Sequence, residues 1–316
     1  MKKDTIVIGT RSSKLALWQA DYVEAKLRER YPELPVVQKR MTTKGDRVLD
    51  APLAKIGGKG LFTKELEQAM LAGEIDLAVH SLKDMPTELP EGLMLAAVTE
   101  RFDPGDAVVS PRYRTLANLP QGAKVGTSSL RRRAQLLAKR PDLEIVSLRG
   151  NVNTRLKKLE EENFDAIILA VAGLKRLGFH DRITEVLPRE ICLPAVGQGA
   201  LAIEARADDE ATLSLIAFLD DAATRAAATR AASRAERAFL ARVEGGCQVP
   251  VGVYAEAADE ALEMEAVIAS IDGERLYRKK NAGSALDAEK IGRALAEELL
   301  AMGGKEILQE LGLLQP

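Results

Sequence analysis

A strand-to-helix pattern that occurs twice is the feature that most restricts the fold of this chain. In each copy a short apolar run leads into Gly-Thr, a pair of serines and an amphipathic helical pattern, over Thr5–Arg30 and Lys124–Arg140. Later strand candidates and polar loops follow in the same order in both halves: Val36–Met41, Thr42–Arg47 and Asp76–His80, then Glu144–Leu148, Arg149–Arg155 and Asp165–Ala170. Apolar strands alternating with helices predict βαβ units and a parallel sheet. The duplication therefore predicts two similar, doubly wound α/β domains that flank a cleft lined by strand-to-helix turns.

The C-terminal third has a different pattern. Asp208–Arg242 is an Ala/Arg-rich helical region, and it precedes three strand candidates and two helices: Val249–Ala255, Leu262–Ser270, Arg275–Lys280, Ala285–Met302 and Lys305–Leu311. Strands in a meander with helices to one side predict a smaller α+β domain. We therefore expect three domains, formed by residues 1–99 with about 200–220, residues 100–199, and residues 221–316.

Composition excludes several classes of protein. The 45 basic and 47 acidic residues give a net charge of −2, so the chain lacks the overall basic field of a nucleic-acid-binding protein. No stretch reaches membrane-spanning length, and no Cys/His cluster has metal-ligand spacing. Two cysteines in separate contexts fit a reducing compartment, and the short apolar run near Met1 is too short for a signal peptide. We expect a cytoplasmic protein.

Cys247 stands in an unusual local sequence, after two glycines and shortly before a proline, in Glu244–Pro250. Such a run forms a loop that a bulky group can approach closely. The thiol could be a free nucleophile or the attachment point of a covalent group. Most free cysteines are instead small buried hydrophobic residues, and the local sequence alone leaves both interpretations open.

Basic residues recur at the strand-to-helix turns, where capping hydroxyls and a helix N-terminus favour anions. The basic and capping residues of these turns are Arg11, Ser13, Ser129, Arg131, Arg132, Arg149 and Arg155. A glycine-rich basic loop adds Lys55 and Lys59. Arginines in the first turn of a helix oppose its dipole, which favours a binding role over a structural one. A solvated charged surface explains any single cluster, but not their shared position. Arginine pairs with carboxylates or phosphates, and the absence of a Walker loop or dinucleotide fingerprint counts against nucleotides.

Asp84 follows a buried-strand pattern, at the kind of strand end where α/β folds place their chemistry. An aspartate before Met-Pro is more often a turn former than a catalytic group. Facing a basic cleft, it becomes the counter-charge for a cationic intermediate. His80, within the apolar strand, is expected to be a hydrogen-bonded structural residue.

Taken together, these motifs resemble those of the porphobilinogen deaminase family, nearly end to end. The matching runs are Gly9–Ser13, Thr43–Asp46, Gly57–Phe62, Val79–Pro86, Gly126–Arg132, Arg149–Leu156, Ala166–Leu174, Leu193–Ala200 and Glu244–Pro250. Gly105, where a basic residue is common, and the AATRAA/ATRAAS repeat at 222–233 depart from the family pattern.

The resemblance implies an activity. The family enzyme, a transferase of tetrapyrrole and haem biosynthesis, condenses four porphobilinogen molecules head to tail, releases ammonia at each step and yields hydroxymethylbilane. The chain grows from a dipyrromethane cofactor held through a thioether, and the resemblance makes Cys247 the anchor and Asp84 the catalytic aspartate. The residues matching cofactor contacts are Lys83, Ser129, Arg131, Arg132 and Arg155, and those matching the substrate side and the active-site loop are Arg11, Ser13, Gln19, Lys55, Lys59, Phe62, Arg149 and Arg176. The family pattern further implies a monomer.

A non-enzymatic alternative has the same architecture. Two α/β lobes around an anion-binding cleft also describe periplasmic solute-binding proteins and ligand-sensing domains. The absence of an export signal and of a DNA-binding helix pair weakens this alternative, and the Gly-Gly-Cys-Gln-Val-Pro run has no role in it.

Overall fold

The computed structural model describes residues 3–47, 60–220, 225–243 and 249–314. The strands are β1 (Ile6–Arg11), β2 (Val36–Met41), β3 (Leu77–Ser81), β4 (Leu93–Val98), β5 (Asp106–Val109), β6 (Lys124–Gly126), β7 (Glu144–Val146), β8 (Ala166–Ala170), β9 (Glu185–Val186), β10 (Leu201–Arg206), β11 (Val251–Ala258), β12 (Ala261–Ala269) and β13 (Leu276–Ser284). The α-helices are α1 (Lys14–Arg30), α2 (Lys44–Arg47), α3 (Lys64–Leu71), α4 (Leu130–Lys139), α5 (Val152–Glu161), α6 (Val171–Arg176), α7 (Glu210–Ile216), α8 (Arg225–Arg242), α9 (Ala288–Leu299) and α10 (Lys305–Glu310).

The chain divides into two compact units. Unit 1 comprises residues 1–101 and 200–230, and unit 2 comprises residues 102–199 and 231–316. Unit 2 contains both a five-stranded sheet and the three-stranded C-terminal sheet. The division into three domains stays a prediction.

Unit 1 is built on a five-stranded sheet in the order β2-β1-β3-β10-β4. Strand β1 pairs parallel with β2 and β3, whereas β10 pairs antiparallel with β3 and β4. One face packs Ile6 and Ile8 against Val23 and Leu27 of α1, and the other packs Ala78 beneath α3. Because β1 and β3 run in the same direction, their carboxyl ends lie at one edge of the sheet.

The five-stranded sheet of unit 2 has the corresponding order, β7-β6-β8-β5-β9, with β6 parallel to β7 and β8, and β5 antiparallel to β8 and β9. The matching topologies confirm the predicted pair of similar α/β domains. Both sheets are nevertheless mixed, because β10 and β5 enter them antiparallel. The sequence patterns identified neither strand, and they also missed β4 and β9.

The C-terminal part of unit 2 is an antiparallel meander, β11-β12-β13, packed against α8, α9 and α10. Its core includes Phe239, Val253, Ile268 and Leu295, all fully buried. This arrangement confirms the predicted smaller α+β part.

Two predicted segments differ in the structure. The helical region Asp208–Arg242 is interrupted, since α7 ends at Ile216 and a 3-10 turn at Ala217–Asp220 follows before α8. The predicted loop Arg149–Arg155 gives way to α5, which begins at Val152 because the Asn151 side chain accepts a hydrogen bond from the Thr154 amide. Across the described residues, no helix is both long and apolar enough to cross a membrane.

Candidate active site

Asp84 lies in a short turn at the end of β3 in unit 1. The 3-10 turn Leu82–Asp84 follows Ser81 directly, and the Met85 amide closes it by donating to the Leu82 carbonyl at 3.2 Å. Leu82 and Met85 are buried, whereas Asp84 is only half-buried. Within the described ranges, no hydrogen bond or ion pair engages the Asp84 carboxylate. The turn thus anchors its apolar residues and leaves a carboxylate at the sheet edge, where it can meet a ligand.

Gln19 and Ser13 support this edge from α1. Ser13 caps α1, since its hydroxyl accepts from the Ala16 amide at 3.3 Å. Gln19 is buried, and its side-chain amide donates to the Ser81 hydroxyl at 2.8 Å. The geometry therefore places Gln19 behind the turn that carries Asp84, as a support for that turn.

Arg11 and Phe62, both predicted on the substrate side, lie together. Arg11 ends β1, and its guanidinium carbon is 4.4 Å from the centre of the Phe62 ring, a cation–π contact. The ring lies so close to Gly45 that an added Cβ there would clash with it. Lys55 and Lys59, predicted for the same loop, lie outside the described residues. Arg11 and Asp84 follow parallel neighbouring strands, so both lie at the carboxyl edge of this sheet.

Beneath this edge lies a buried polar pair that pattern analysis did not anticipate. His80 Nε2 is 3.1 Å from a carboxylate oxygen of Glu204 on β10, and both side chains are almost fully enclosed. Burial raises the pKa of Glu67 on the covering helix α3, and the nearby Glu204 charge adds to this rise. His80 lies within the sheet, as predicted, but its Nε2 makes the ionic contact with Glu204 and no hydrogen bond among the described residues.

In unit 2, Ser129 and two arginines occupy the start of α4. Ser129 caps the helix, and its hydroxyl accepts from the Arg132 amide at 3.4 Å. Arg131 and Arg132 point into the protein, with about 5% or less of each residue exposed. Their shared partner is the buried carboxylate of Asp106, 2.6 Å from Nη1 of Arg131 and 2.7 Å from Nη2 of Arg132.

Asp106 offsets two of the three arginines in the first turn of α4. Arg131, Arg132 and Arg133 together predict ligand binding because they oppose the helix dipole, whereas a buried carboxylate already pairs with the first two. Burial alone would raise the pKa of Asp106, but the two guanidinium charges and their hydrogen bonds hold that pKa well below its ordinary value. Two guanidinium groups against one carboxylate leave one positive charge in excess. The cluster can still attract an anion, but Asp106 already explains why two arginines are tolerated at the start of α4.

The other predicted arginines of unit 2 are placed differently from one another. Arg155 lies in the first turn of α5, and its Nε donates to the Gly150 carbonyl at 2.8 Å. Gly150 has a φ of +120°, a conformation that side chains disfavour, and it forms the sharp bend between Arg149 and α5. Arg149 and Arg155 are both half-buried.

Arg176, at the end of α6, is instead buried. Its Nη2 donates to the Gly199 carbonyl at 2.7 Å, and its guanidinium lies 4.7 Å from the centre of the Phe102 ring. Its contacts are thus to the protein itself, and a role toward substrate stays a prediction. Lys83, on the turn beside Asp84 in unit 1, is half-buried.

The two cysteines can be compared only in part. Cys247 lies outside the described residues. Cys192 is buried in the core, as its sequence surroundings predicted, and burial together with the Asp106 charge raises the pKa of its thiol to about 12. Because the thiolate is the nucleophile, Cys192 is poorly suited to form a thioether.

The Asp106 cluster predicts a large stability effect. Arg131→Leu should lower the free energy of unfolding by about 3 kcal/mol, because it removes one of two partners of a buried charge. The neighbouring Arg133 is exposed, so Arg133→Leu should change it by less than about 0.5 kcal/mol. Urea unfolding at neutral pH measures both variants, and equal stabilities would contradict the assignment.

Acid should reduce the difference in stability between the wild type and Arg131→Leu. Because the folded-state pKa of Asp106 is depressed, its contribution to stability is fully present above the unfolded value of about 4 and is lost progressively as pH falls from there toward the depressed folded-state pKa. The stability gap between the wild type and Arg131→Leu should therefore shrink when urea unfolding is repeated at about pH 3. A gap independent of pH would show that packing, and not charge, causes it.

Comparison with known proteins decides the family. The model of the porphobilinogen deaminase dipyrromethane cofactor-binding domain matches residues 6–214, and that of the porphobilinogen deaminase C-terminal domain matches residues 231–301. The chain belongs to the porphobilinogen deaminase family. The porphobilinogen deaminase of Geobacter sulfurreducens is 55% identical over 311 residues, covering 98% of this chain and 96% of that protein. That of Trichlorobacter lovleyi is 54% identical over 304 residues, covering 96% of each.

Among solved structures, the alkanesulfonate-binding protein SsuA from Xanthomonas axonopodis pv. citri, bound to MOPS, matches with a TM-score of 0.41 and 15% identity. The match covers 70% of this chain and 73% of that one. A similarity this low does not bear on function.

Family membership confirms the predicted activity. The chain is an enzyme, a hydroxymethylbilane synthase, which joins porphobilinogen units into a linear tetrapyrrole in porphyrin and haem biosynthesis and uses a dipyrromethane cofactor. The non-enzymatic solute-binding alternative is thereby wrong.

Proposed function

We propose that Cys247 anchors the dipyrromethane cofactor through a thioether. The sequence contains two cysteines, and the buried Cys192 thiol is held in its unreactive protonated form. Cys247 follows two glycines, which allow a bulky group to come close to the backbone. When bound, the cofactor supplies the pyrrole end from which the new chain grows.

The carboxylates of the cofactor and of the growing chain require cationic partners, since each pyrrole carries an acetate and a propionate. In unit 2, the Arg131–Arg132–Asp106 cluster carries one excess positive charge beside the capped start of α4. Arg155 lies in the first turn of α5, the next helix of the same unit. This donor set fits a polycarboxylate ligand. We assign the cofactor to Lys83, Ser129, Arg131, Arg132 and Arg155, and substrate or growing chain to Arg11, Ser13, Gln19, Lys55, Lys59, Phe62, Arg149 and Arg176.

Asp84 is the proposed catalytic residue, and its position on a fixed turn is the main support for the mechanism. It is half-buried on a turn fixed by buried Leu82 and Met85, so its carboxylate is both positioned and accessible. The aminomethyl C–N bond of porphobilinogen breaks and the nitrogen leaves as ammonia with the bonding electrons. The positive charge left on the substrate is stabilised by a fixed carboxylate, which costs no reorganisation during the reaction.

The same carboxylate can serve the later part of the reaction. After the new C–C bond forms, the pyrrole α-carbon must lose a proton to restore aromaticity. A carboxylate within hydrogen-bond reach can accept pyrrole N–H bonds and help remove that proton. We rank charge stabilisation first and proton transfer second, because the ammonium group of the substrate departs with little acid assistance.

We also propose an oligomeric state and a compartment. The family resemblance supports a monomer, and the two cysteines in separate contexts support a reducing compartment such as the cytoplasm. Sedimentation at several protein concentrations tests the monomer, and a concentration-dependent mass would contradict it.

The proposed function as a whole is tested with an aldehyde reagent for pyrroles. Acid-denatured protein should give a coloured adduct that migrates with the polypeptide, and the native protein should consume porphobilinogen and release ammonia. Neither colour nor consumption would contradict both cofactor and activity.

The arginines are expected to act at different stages of elongation. Arg11→Leu and Arg155→Leu should accumulate protein-bound pyrrole chains of intermediate length, and Arg176→Leu should show a milder defect. Arg155→Leu should still acquire cofactor, because the other assigned cofactor contacts remain and Arg155 also serves the growing chain as it shifts. Anion-exchange separation after a short pulse of porphobilinogen resolves these species, because each added pyrrole brings two carboxylates. Arg182 is a suitable control, since it pairs with Glu160 at the surface, and Arg182→Leu should give the wild-type ladder. Wild-type ladders from all four variants would contradict the assignment.

A further inference from the structure

The segment Leu193–Gly199, which forms most of the matching motif Leu193–Ala200, links two parts of unit 2. On one side, the Leu193 amide donates to the Gln135 side chain of α4 at 2.8 Å. On the other side, the Val253 amide of β11 donates to the Pro194 carbonyl at 2.9 Å. We call Leu193–Gly199 the bridging segment. It joins the helix that carries the arginine pair to the C-terminal sheet.

Glu236 binds the bridging segment from α8. This side chain is fully buried, and its Oε2 accepts from the Gly197 amide at 2.6 Å. Its Oε1 accepts from the Ala255 amide at 2.8 Å. One carboxylate thus connects α8, the bridging segment and β11. Both carboxylate oxygens of Glu236 thus accept a hydrogen bond from a backbone amide. Removing the carboxylate, or moving either amide, is costly because it leaves a buried polar group unpaired.

Gln198 continues the connection toward the arginines. It is also buried, and its side-chain amide donates to Asp106 Oδ1 at 2.9 Å and to the Pro104 carbonyl at 2.7 Å. Asp106 in turn orients Arg131 and Arg132, as described above. A chain of buried polar contacts therefore runs from Glu236 through Gly197 and Gln198 to Asp106.

The two ends of this series of contacts are Glu236 and the Arg131–Arg132 pair. Helix α8 ends at Arg242 and β11 begins at Val251, so the segments that Glu236 ties together are those on either side of Cys247 in sequence. The other end is the arginine pair. The cysteine that forms the thioether and the arginines that bind the carboxylates must be correctly spaced before one cofactor can contact both.

We propose that Glu236, Gln198 and Asp106 are positioning residues for cofactor acquisition, which hold α8 and β11, the described elements that flank Cys247 in sequence, in register with Arg131 and Arg132. This inference rests on the proposed function, because it takes Cys247 as the anchor. The three residues act through the backbone and the arginines, without touching the substrate.

The rate of cofactor loading tests the proposal. Full-length wild type, Glu236→Gln and Gln198→Leu are made by cell-free translation without porphobilinogen, so that each starts without cofactor. Porphobilinogen is then added, and denaturing intact-mass spectrometry follows the gain of two linked pyrroles. Both variants should load about tenfold more slowly than the wild type, the factor that loss of one hydrogen bond to a charged group predicts.

A destabilised variant outside this series of polar contacts separates a positioning effect from a stability effect. Leu295→Ala is such a variant, because Leu295 is buried in the apolar core of the C-terminal part of unit 2. All proteins are compared at a temperature where circular dichroism shows them folded, and Leu295→Ala should load at the wild-type rate. Should Glu236→Gln not fold, Gln198→Leu alone decides, because it replaces one neutral side chain by another.

Each outcome has a distinct meaning. Loading of Glu236→Gln and Gln198→Leu at the rate of Leu295→Ala would overturn the positioning role while leaving the proposed function intact. A wild-type protein that never gains the two-pyrrole mass would instead contradict the proposed function itself. Slow loading by the two variants, with normal loading by Leu295→Ala, supports the proposal.

Discussion

Asp84→Asn is expected to lower turnover on the order of thousands-fold, because it removes a preorganised charge from the place where positive charge develops. The amide keeps the size and hydrogen-bonding reach of the carboxylate, so the loss reports charge. Since the carboxylate makes no ion pair within the described residues, the substitution should leave stability nearly unchanged. Initial rates of porphobilinogen consumption at saturating substrate measure the effect.

Two variants control this experiment. Asp84→Glu retains the charge but displaces it, and it should lose less activity than the amide. Asp181→Asn removes an exposed aspartate of unit 2, whose side chain is 88% exposed, and it should leave turnover unchanged. Turnover of Asp84→Asn near that of the wild type would remove Asp84 from the mechanism.

Cys247→Ser is expected to abolish nearly all activity, because a hydroxyl lacks the soft nucleophilic sulfur that a thioether requires. The variant should fold and should lack the mass of two linked pyrroles. Cys192→Ser is the matched control. Since the Cys192 thiol is buried and protonated, that variant should keep both adduct and activity.

An unchanged adduct on Cys247→Ser would place the anchor elsewhere. Intact-mass spectrometry under denaturing conditions distinguishes the two variants directly, since only a covalent group remains attached. Far-UV circular dichroism of both proteins shows whether any loss of adduct comes from unfolding.

The duplicated α/β architecture was predictable because its signals are local. The repeated patterns over Thr5–Arg30 and Lys124–Arg140 end within a residue of the ends of α1 and α4. The second serine of each pattern, Ser13 or Ser129, caps the helix that follows it. Strands β10 and β5 were missed, because each enters its sheet antiparallel from a distant part of the chain. Pairing between residues far apart in sequence leaves no periodic trace near either strand.

The candidate site was predictable to a different degree. Family motifs led to Asp84 and Cys247, whose neighbours in sequence are distinctive. Asp106 and Glu236 lie outside the matching motifs, and Gln198 lies within one whose role the sequence does not reveal. The contacts that give these three residues their importance are with residues 19 to 94 positions away. The counter-charge of Arg131 was missed for the same reason, since Asp106 lies on another element of the fold.

The position of the covalent group is the most direct test of this account. Trypsin cleavage of the denatured wild-type protein separates the two cysteines, because Cys247 falls in the peptide 243–275 and Cys192 in the peptide 190–206. Tandem mass spectrometry should find two linked pyrroles on Cys247 in peptide 243–275, and peptide 190–206 unmodified. A pyrrole adduct on peptide 190–206, or both peptides at their unmodified masses, would contradict the account.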